Sequence, residues 1–521
     1  MKLHNMKKIN SKIKMAIRLL ERTPKFRYIE IFSSVSLAII IRLLLEYIFF
    51  EQHFSFNYFY SIVLIERFSF LFFTFLLSTV IVYLLSKENI RKILSFLSKI
   101  YWVIIIPPLI DHLIFGRTTS YTYALPNDFL KNFFTFFTQY QGLFSQFEGA
   151  GIGIIIECFL ICFLFAYYIF YKTKSIIRAV SAIFIIYLSF SLLGTLWISV
   201  FVPEVLNPPS YINTPDAFVK FYVNTYKRVL AIFFLISSFI ILSLIAYKLN
   251  KNAVISLIKN IRPMRTLYFL FMVIGGAFIG CHTHIQMMKL FSGIVSAFFV
   301  WQFTIIVNDI SDEKIDKKLK KKRPLVIGSI TKFDYMSIAV FLGMYSILFA
   351  ILIDLTSFLI VLLCVLLAIL YSIPPFRLRN TLLGTFFIGI GSSLLFFLGY
   401  FSQGGILNFE IIFIGVTIFL VGSLATTVKD ITDYEGDKRY GVKNIFTIFG
   451  KKRGKQLSLT LMGVSFLLPL LLVNSFFDII FFVGAAITSV ADFKKYENVQ
   501  RIIFYSLVML GYFFFRVKMI L

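Results

Sequence analysis

Fifteen apolar stretches, each long enough for a helix to cross a bilayer, govern what this chain can become. A hydrocarbon layer of ~30 Å takes ~20 residues of α-helix, because lipid offers the backbone no hydrogen-bonding partner and a helix supplies its own. Six runs precede residue 250, near 29–50, 68–86, 97–115, 152–171, 177–201 and 229–248. Nine follow, near 265–282, 286–307, 335–353, 356–373, 381–402, 408–428, 456–473, 475–491 and 502–521, of which the thirteenth and fourteenth overall also read as one broken hairpin. Only 15% of the 521 residues are charged, with a mean hydropathy of +0.85, against ~25% charged in soluble domains. The fold class expected is therefore all-α, a polytopic membrane protein of about 15 transmembrane helices. Soluble enzymes and secreted mini-domains are excluded. Four cysteines (Cys158, Cys162, Cys281, Cys364) are too few and too dispersed for a disulfide framework.

Charge orients the helices. Lys and Arg total 52 against 26 acidic residues, a formal +26. Such an excess can mark nucleic-acid binding, but here the cations sit in the links between apolar runs, so the expected partner is the bilayer and no nucleic acid. Basic links alternate with cation-poor ones. Lys87, Arg91, Lys92 and Lys99 mark one; Lys172, Lys174 and Arg178 the next; then come Lys248–Arg265, Lys314–Arg323, Arg377 with Arg379, and Lys438–Lys455. The link 401–410 has none. Because cations resist translocation, the N-terminus and all basic links are expected in the cytoplasm, with the plasma membrane as the site of residence. No cleavable signal peptide is evident, since the apolar run behind the basic start is too long for one.

Three segments follow: a basic cytoplasmic N-terminal stretch 1–27, a six-helix membrane domain 28–250, and a nine-helix unit 251–521, divided at the polar, basic junction 249–264. Residues 116–150, rich in Phe and Tyr, read as an amphipathic segment lying in the interface.

Two acidic clusters carry the chemistry. Asn308-Asp309-Ile310-Ser311-Asp312-Glu313-Lys314-Ile315-Asp316 and Asp430-Ile431-Thr432-Asp433-Tyr434-Glu435-Gly436-Asp437 both contain DxxDxxxD. At ~3.6 residues per turn, offsets of three and seven keep each set on one helix face. Both lie at the cytoplasmic ends of apolar runs four crossings apart, so they face the same side. Carboxylates at membrane depth cost ~2.5–3.5 kcal/mol each at a helix centre, so six at one level should line a wet cavity or bind cations. Mg²⁺ prefers such oxygens, usually one or two per ion with phosphate oxygens completing the shell. Two opposed rows could thus hold two Mg²⁺ ions around a diphosphate and neutralise the charge of a leaving group.

On these residues the second half resembles the UbiA superfamily of intramembrane prenyltransferases. NDISDEKID matches its NDxxDxxxD motif, KDITDYEGDKRYGVKNIFTIFG its DxxDxxGD motif, RPLVIGSI (323–330) its RPxxxGxI, and YSIPPFRLR (371–379) its YSxPPxRxK. The resemblance covers about 251–521 and implies a helical bundle whose central cavity takes a prenyl diphosphate and Mg²⁺. There the diphosphate ionises and the allylic cation alkylates a lipophilic acceptor, an aromatic or quinone precursor or a lipid-like alcohol. Carried over by motif, Asp309, Asp312, Asp316, Asp430, Asp433 and Asp437 are the expected metal ligands. Asp309, Asp312, Asp433 and Asp437 are named as catalytic, and Asn308, Arg323, Tyr371, Arg377 and Lys443 as diphosphate-binding. A diphosphate favours the planar, multidentate Arg donor; positive-inside retention accounts for Arg377 and Arg379 equally well. Alternatives are a polyprenyl-phosphate phosphoribosyltransferase of the same superfamily, whose usual His-Pro is replaced here by KKLKKK, and a non-catalytic isoprenoid-diphosphate or lipid carrier.

The first half matches no recognised family. Arg42 and Glu46 are spaced to pair along one helix, Asp111, His112 and Glu157 are intramembrane ionisable groups, and Pro107-Pro108 predicts a bend opening a polar niche. Cys158 and Cys162 read as packing residues. Cys281, His282 and His284 lie at the far end from the aspartates and are not taken as a metal site. Gly149 to Gly153 precedes a membrane helix, so a nucleotide-binding turn is not supported.

Overall fold

The computed structural model describes residues 12–23, 28–49, 58–116, 152–201 and 227–521. The expected interfacial segment 116–150 lies, apart from Gly116, outside the described residues. The protein divides into two compact units, Met1–Asn250 and Lys251–Leu521. Fourteen helices among the described residues are long and apolar enough to cross a bilayer, five in the first unit and nine in the second. A further helix, Ile176–Phe201, opens with the apolar stretch Ile176–Ser189. The chain is an integral membrane protein with an all-α fold.

In the first unit the helices are α1 (Tyr28–Ile48), α2 (Tyr58–Ser86), α3 (Ile90–Ile100), α4 (Ile106–Phe115), α5 (Ile152–Thr173), α6 (Ile176–Phe201) and α7 (Arg228–Leu249). A 3₁₀ turn, Tyr101–Ile105, joins α3 to α4 immediately before Pro107-Pro108. Asp111 accepts a hydrogen bond from the Gly153 N–H in the first turn of α5, at 2.8 Å. Arg42 pairs with Glu46 at 2.9 Å, as its spacing predicts, and reaches both carboxylate oxygens of Glu157 on α5 at 2.9 and 2.8 Å. Glu46 also accepts from Arg67 at 3.1 Å, and buried Glu66 from Lys227 at 3.1 Å. α2 begins at Tyr58, ahead of the apolar run near 68–86, and carries Glu66 and Arg67 within it, since charges that find partners can be held inside a membrane helix.

The second unit starts with the short helix α8 (Lys251–Lys259), then α9 (Pro263–Gly280), α10 (Met287–Ser311), α11 (Glu313–Lys318), α12 (Lys332–Ile351), α13 (Leu355–Ser372), α14 (Gly384–Ser402) and α15 (Phe409–Ala425). It ends with α16 (Tyr434–Arg439), α17 (Ile445–Leu467), α18 (Phe476–Tyr496) and α19 (Val499–Ile520). Each long helix packs on the next in sequence, and α19 returns to α9, closing a ring. α17 is kinked at Gly450 (φ 77°, ψ 162°): a short first turn, opened by a reciprocal capping box of Asn444 and Thr447, precedes the long segment, whose polar start at 451–455 leads into the apolar run at 456–473. A 3₁₀ turn, Leu468–Leu471, separates α17 from α18, so the two are distinct helices rather than one broken hairpin.

α9 and α14 approach more closely than side chains allow. A β-carbon on Gly276 would stand 1.9 Å from the Phe396 carbonyl oxygen, and one on Gly399 would stand 1.9 Å from that of Val273. Small residues at facing positions let backbones touch where lipid supplies no hydrophobic drive for helix association. Gly399→Leu is expected to destabilise the unit by ~3 kcal/mol or more, read as loss of monodisperse protein and a lowered melting temperature in detergent. Gly484→Ala, with open space around its β-carbon, should melt with the wild type.

Candidate active site at the closed end of the ring

The acidic motifs sit where helices break. Their offsets predict one continuous helical face each, but α10 ends at Ser311 and Asp312 takes φ −94°, ψ 6° before α11 begins. Asp433 does the same at φ −105°, ψ 3°, between the 3₁₀ turn Thr426–Ile431 and α16. The hydrogen-bond ladder still runs through each break, with Asp316 N–H donating to Asp312 O and Asp437 N–H to Asp433 O, both at 2.9 Å. Each short helix then closes on a left-handed residue, Lys320 (φ 51°) or Gly441 (φ 69°). The next N–H reaches back to the third aspartate: Lys321 to Asp316 O and Val442 to Asp437 O, both at 3.0 Å. The two motifs are structural twins.

They face one another across a cavity of about 390 Å³. Its polar end is lined by Asn308, Asp312, Asp316, Asp430, Asp433 and Asp437, with Arg262, Arg265, Arg323, Arg379, Lys429 and Tyr371. Its depth is apolar and aromatic, with Tyr268, Phe269, Trp301, Leu395 and Ile502 among the walls. Trp301 is held by its indole N–H on the Thr266 hydroxyl, at 3.1 Å. A cation meets every aspartate row. Arg377 donates to Asp312 at 2.8 Å, and Arg379 contacts its other oxygen. Lys429 pairs with Asp430. Lys321 spans Asp316 at 3.3 Å and Asp433 at 3.1 Å. Asn444 donates to Asp437 at 2.8 Å.

Electrostatics differ along the rows. Burial, with Asp430 and Asp433 nearby, pushes the Asp437 carboxyl up to about 6 against the pull of Arg379 and Lys429. Burial also raises Asp316, opposed by Lys321 and Arg323. At Asp433 burial is outweighed by Lys321, Arg379 and Lys429, and the carboxyl lies below its usual range. Arg262 is drawn down to about 10 by burial, despite Asp309, with Arg323 and Arg265 repelling it. Those three guanidinium groups are poised to gain from an anion.

Three expected site residues are not brought to the cavity. Asp309 is turned away and buried, accepting from Asn260 at 2.7 Å and Arg262 at 2.7 Å on separate oxygens, and from the Tyr335 hydroxyl at 3.1 Å. Its offset from Asp312 no longer sets a shared face once the helix breaks between them. Arg377, left-handed at φ 35°, is absent from the lining and reaches the site only through Asp312. Lys443 is exposed, and its backbone N–H donates to Asn380 O at 2.9 Å. Arg262, Arg265, Lys321 and Asn260 lie outside the motifs, and Arg379 and Lys429, although within them, were not chosen as site residues. The Arg-Pro-Met-Arg sequence at the head of α9 was the available signal, since residues 262 and 265 lie one turn apart ahead of an apolar helix. His282 and His284 are exposed past the opposite end of α9.

Residues 269–502 match the model of the UbiA prenyltransferase family. The second unit is similar to the UbiA prenyltransferase family. Its relatives include a digeranylgeranylglyceryl phosphate synthase of Methanosphaera stadtmanae, 27% identical over 228 residues, covering 43% of this chain and 81% of the relative. Another is a 4-hydroxybenzoate octaprenyltransferase of Vibrio campbellii, 24% identical over 201 residues, 37% of this chain and 68% of the relative. Among solved structures, a UbiA homolog from Archaeoglobus fulgidus bound to DMAPP and Mg²⁺ overlays with a TM-score of 0.42 at 18% identity, covering 50% of this chain and 99% of that one. The UbiA match leaves the first unit outside it.

The position of Asp309 makes a measurable difference. Asp309→Ala strips a buried partner from Arg262, Asn260 and Tyr335 together and should cost ~3 kcal/mol of stability. The check is a clear fall in detergent melting temperature, whereas Asp433→Ala, at the wetter edge of the cavity, should lower it little.

Proposed function

We propose that the UbiA-type unit transfers a prenyl group from an allylic prenyl diphosphate to a membrane-associated acceptor, with Mg²⁺, at a site facing the cytoplasm of the plasma membrane. The observation that carries this reading is the pairing of two aspartate rows and a guanidinium cluster at the mouth of an apolar, aromatic chamber. A chamber of about 390 Å³ lies in the size range of small-ligand sites.

The residues fit the metal in a particular way. Five cations and five carboxylates line the polar end, and among the described residues no three His, Cys, Asp or Glu side chains stand together as a ready ligand set. A diphosphate added to this near-neutral lining needs extra positive charge. Mg²⁺ takes one or two carboxylates and completes its shell with phosphate oxygens, so Asp312, Asp316, Asp430, Asp433 and Asp437 suit ions held jointly with the substrate. When bound there, Mg²⁺ would supply Lewis-acid neutralisation of the departing diphosphate.

The side chains do the rest. Arg262, Arg265, Arg323 and Arg379 offer the diphosphate directed N–H donors, and Tyr371 adds a hydroxyl at the same level. The prenyl tail lies along the apolar wall. As the allylic C–O bond breaks, the electron pair leaves with diphosphate, and the aromatic wall of Tyr268, Phe269 and Trp301 surrounds the cation with polarisable rings. The dry wall keeps water from quenching it. The acceptor's nucleophilic atom then bonds to the prenyl carbon, and its proton passes to the released diphosphate, the base the reaction itself supplies. Asp309 acts at a remove, holding Arg262 and, through Asn260, Arg323 (3.0 Å). Glyceryl phosphate synthases recur among the relatives, so a lipid-like alcohol is the first acceptor to test and 4-hydroxybenzoate the second.

The test uses the full chain in nanodiscs with Mg²⁺, allylic diphosphates of several lengths and an acceptor panel, following diphosphate release and prenylated product together. Asp433→Ala should lower turnover about 10²-fold or more; undiminished turnover would remove the assignment. Acid should also weaken the metal. Because Asp437 titrates at about 6 and must shed its proton to bind, Mg²⁺ affinity should be full above pH ~7 and fall up to about tenfold per unit below ~6. Asp437→Asn should lower the affinity and flatten that dependence, as titration calorimetry would read.

A further inference from the structure

From the last turn of α11 to Arg323 runs a basic stretch, 317–322, whose lysines at 317, 318, 320 and 322 are exposed. Lys321 alone of these five turns inward. Left-handed Lys320 reverses the chain, and the hydrogen bond from Lys321 N–H to Asp316 O fixes the backbone that carries it. The ammonium then lies 3.3 Å from Asp316 and 3.1 Å from Asp433, one carboxylate from each motif. Two contacts seat the same segment on the second motif. Leu319 presses on Gly436, where a β-carbon would come within 2.7 Å of its methyl, and the Lys318 ammonium stands 5.3 Å over the Tyr440 ring.

We propose that Lys321 is a resident counter-ion that holds the two aspartate rows together without metal, and that a metal–diphosphate complex must displace it to bind. This rests on the diphosphate reading above. An ammonium between opposed carboxylates relieves the repulsion a divalent ion would relieve, but it has no lone pair or open coordination position to offer a phosphate. Metal and Lys321 compete for the same oxygens of Asp316 and Asp433. A bare divalent ion must break both pairs with little return. One that arrives with a diphosphate gains phosphate ligands as well, and the freed ammonium then has an anion beside it. Lys321 thereby makes metal binding conditional on substrate. It is a positioning residue, without contact to the reacting carbon.

The experiment titrates Mn²⁺, a paramagnetic stand-in for Mg²⁺, into the full chain in nanodiscs, with and without inorganic diphosphate, counting free ion by electron paramagnetic resonance. Wild type should bind Mn²⁺ weakly alone and about tenfold or more tighter with diphosphate. Lys321→Met and Lys321→Gln should bind Mn²⁺ alone about tenfold tighter than wild type and lose most of the diphosphate effect, whereas Lys321→Arg should keep it. Equal affinity of wild type and Lys321→Met for Mn²⁺ alone, with the diphosphate effect intact in both, overturns the counter-ion role and leaves the diphosphate reading standing. Tight binding to wild type without diphosphate overturns it too, independently of how any variant folds. Absence of Mn²⁺ binding to every form, with diphosphate present, removes both.

Discussion

Opposed charge, gathered at one end of an apolar ring, is the constraint on which the second unit depends. Taking an ion out of water costs several kcal/mol even after relaxation, so each aspartate of the twin motifs must be matched locally. The matching is distributed: Arg377 and Arg379 on Asp312, Lys429 on Asp430, Lys321 between Asp316 and Asp433, and Asn260, Arg262 and Tyr335 around Asp309. Elements far apart in sequence are pinned through these pairs, so the electrostatics of the site also organise its end of the fold.

The same arrangement divides the chamber by depth. Polar groups gather where the helices break, because a broken helix exposes backbone and side chains that lipid cannot solvate. Below that level the helices are regular and the wall is apolar. The chamber thus offers a charged environment and an apolar one in sequence, as the proposed substrate, with its charged head and hydrocarbon tail, requires.

How far this was legible in the sequence depended on the kind of information asked for. The nine spans of the second unit were readable because hydrophobicity reports directly on lipid exposure, and boundaries shifted where polar residues continued a helix, as at 451–455 ahead of the run at 456–473. The acidic motifs were visible as residues. Their geometry was not, because spacing fixes a face relative to the residue's own helix and says nothing of a break at Asp312 or of what a neighbouring helix presents. Asp309 belongs to the motif yet serves as a buried anchor. Lys321 looked like one lysine among many, since its inward turn is set by the backbone of Lys320 and by Leu319 lying on Gly436.

Closure of the ring makes the chamber depend on its last wall. The wall of the chamber includes residues of α9 and of α19, the opening and final long helices of the unit, which are packed together. Without α19 the chamber would lack one wall, and the aspartates and arginines of the earlier helices would stand beside an open seam. The charge pairs and the enclosure are therefore separable: the first are made within the earlier helices, and the second depends on one late contact.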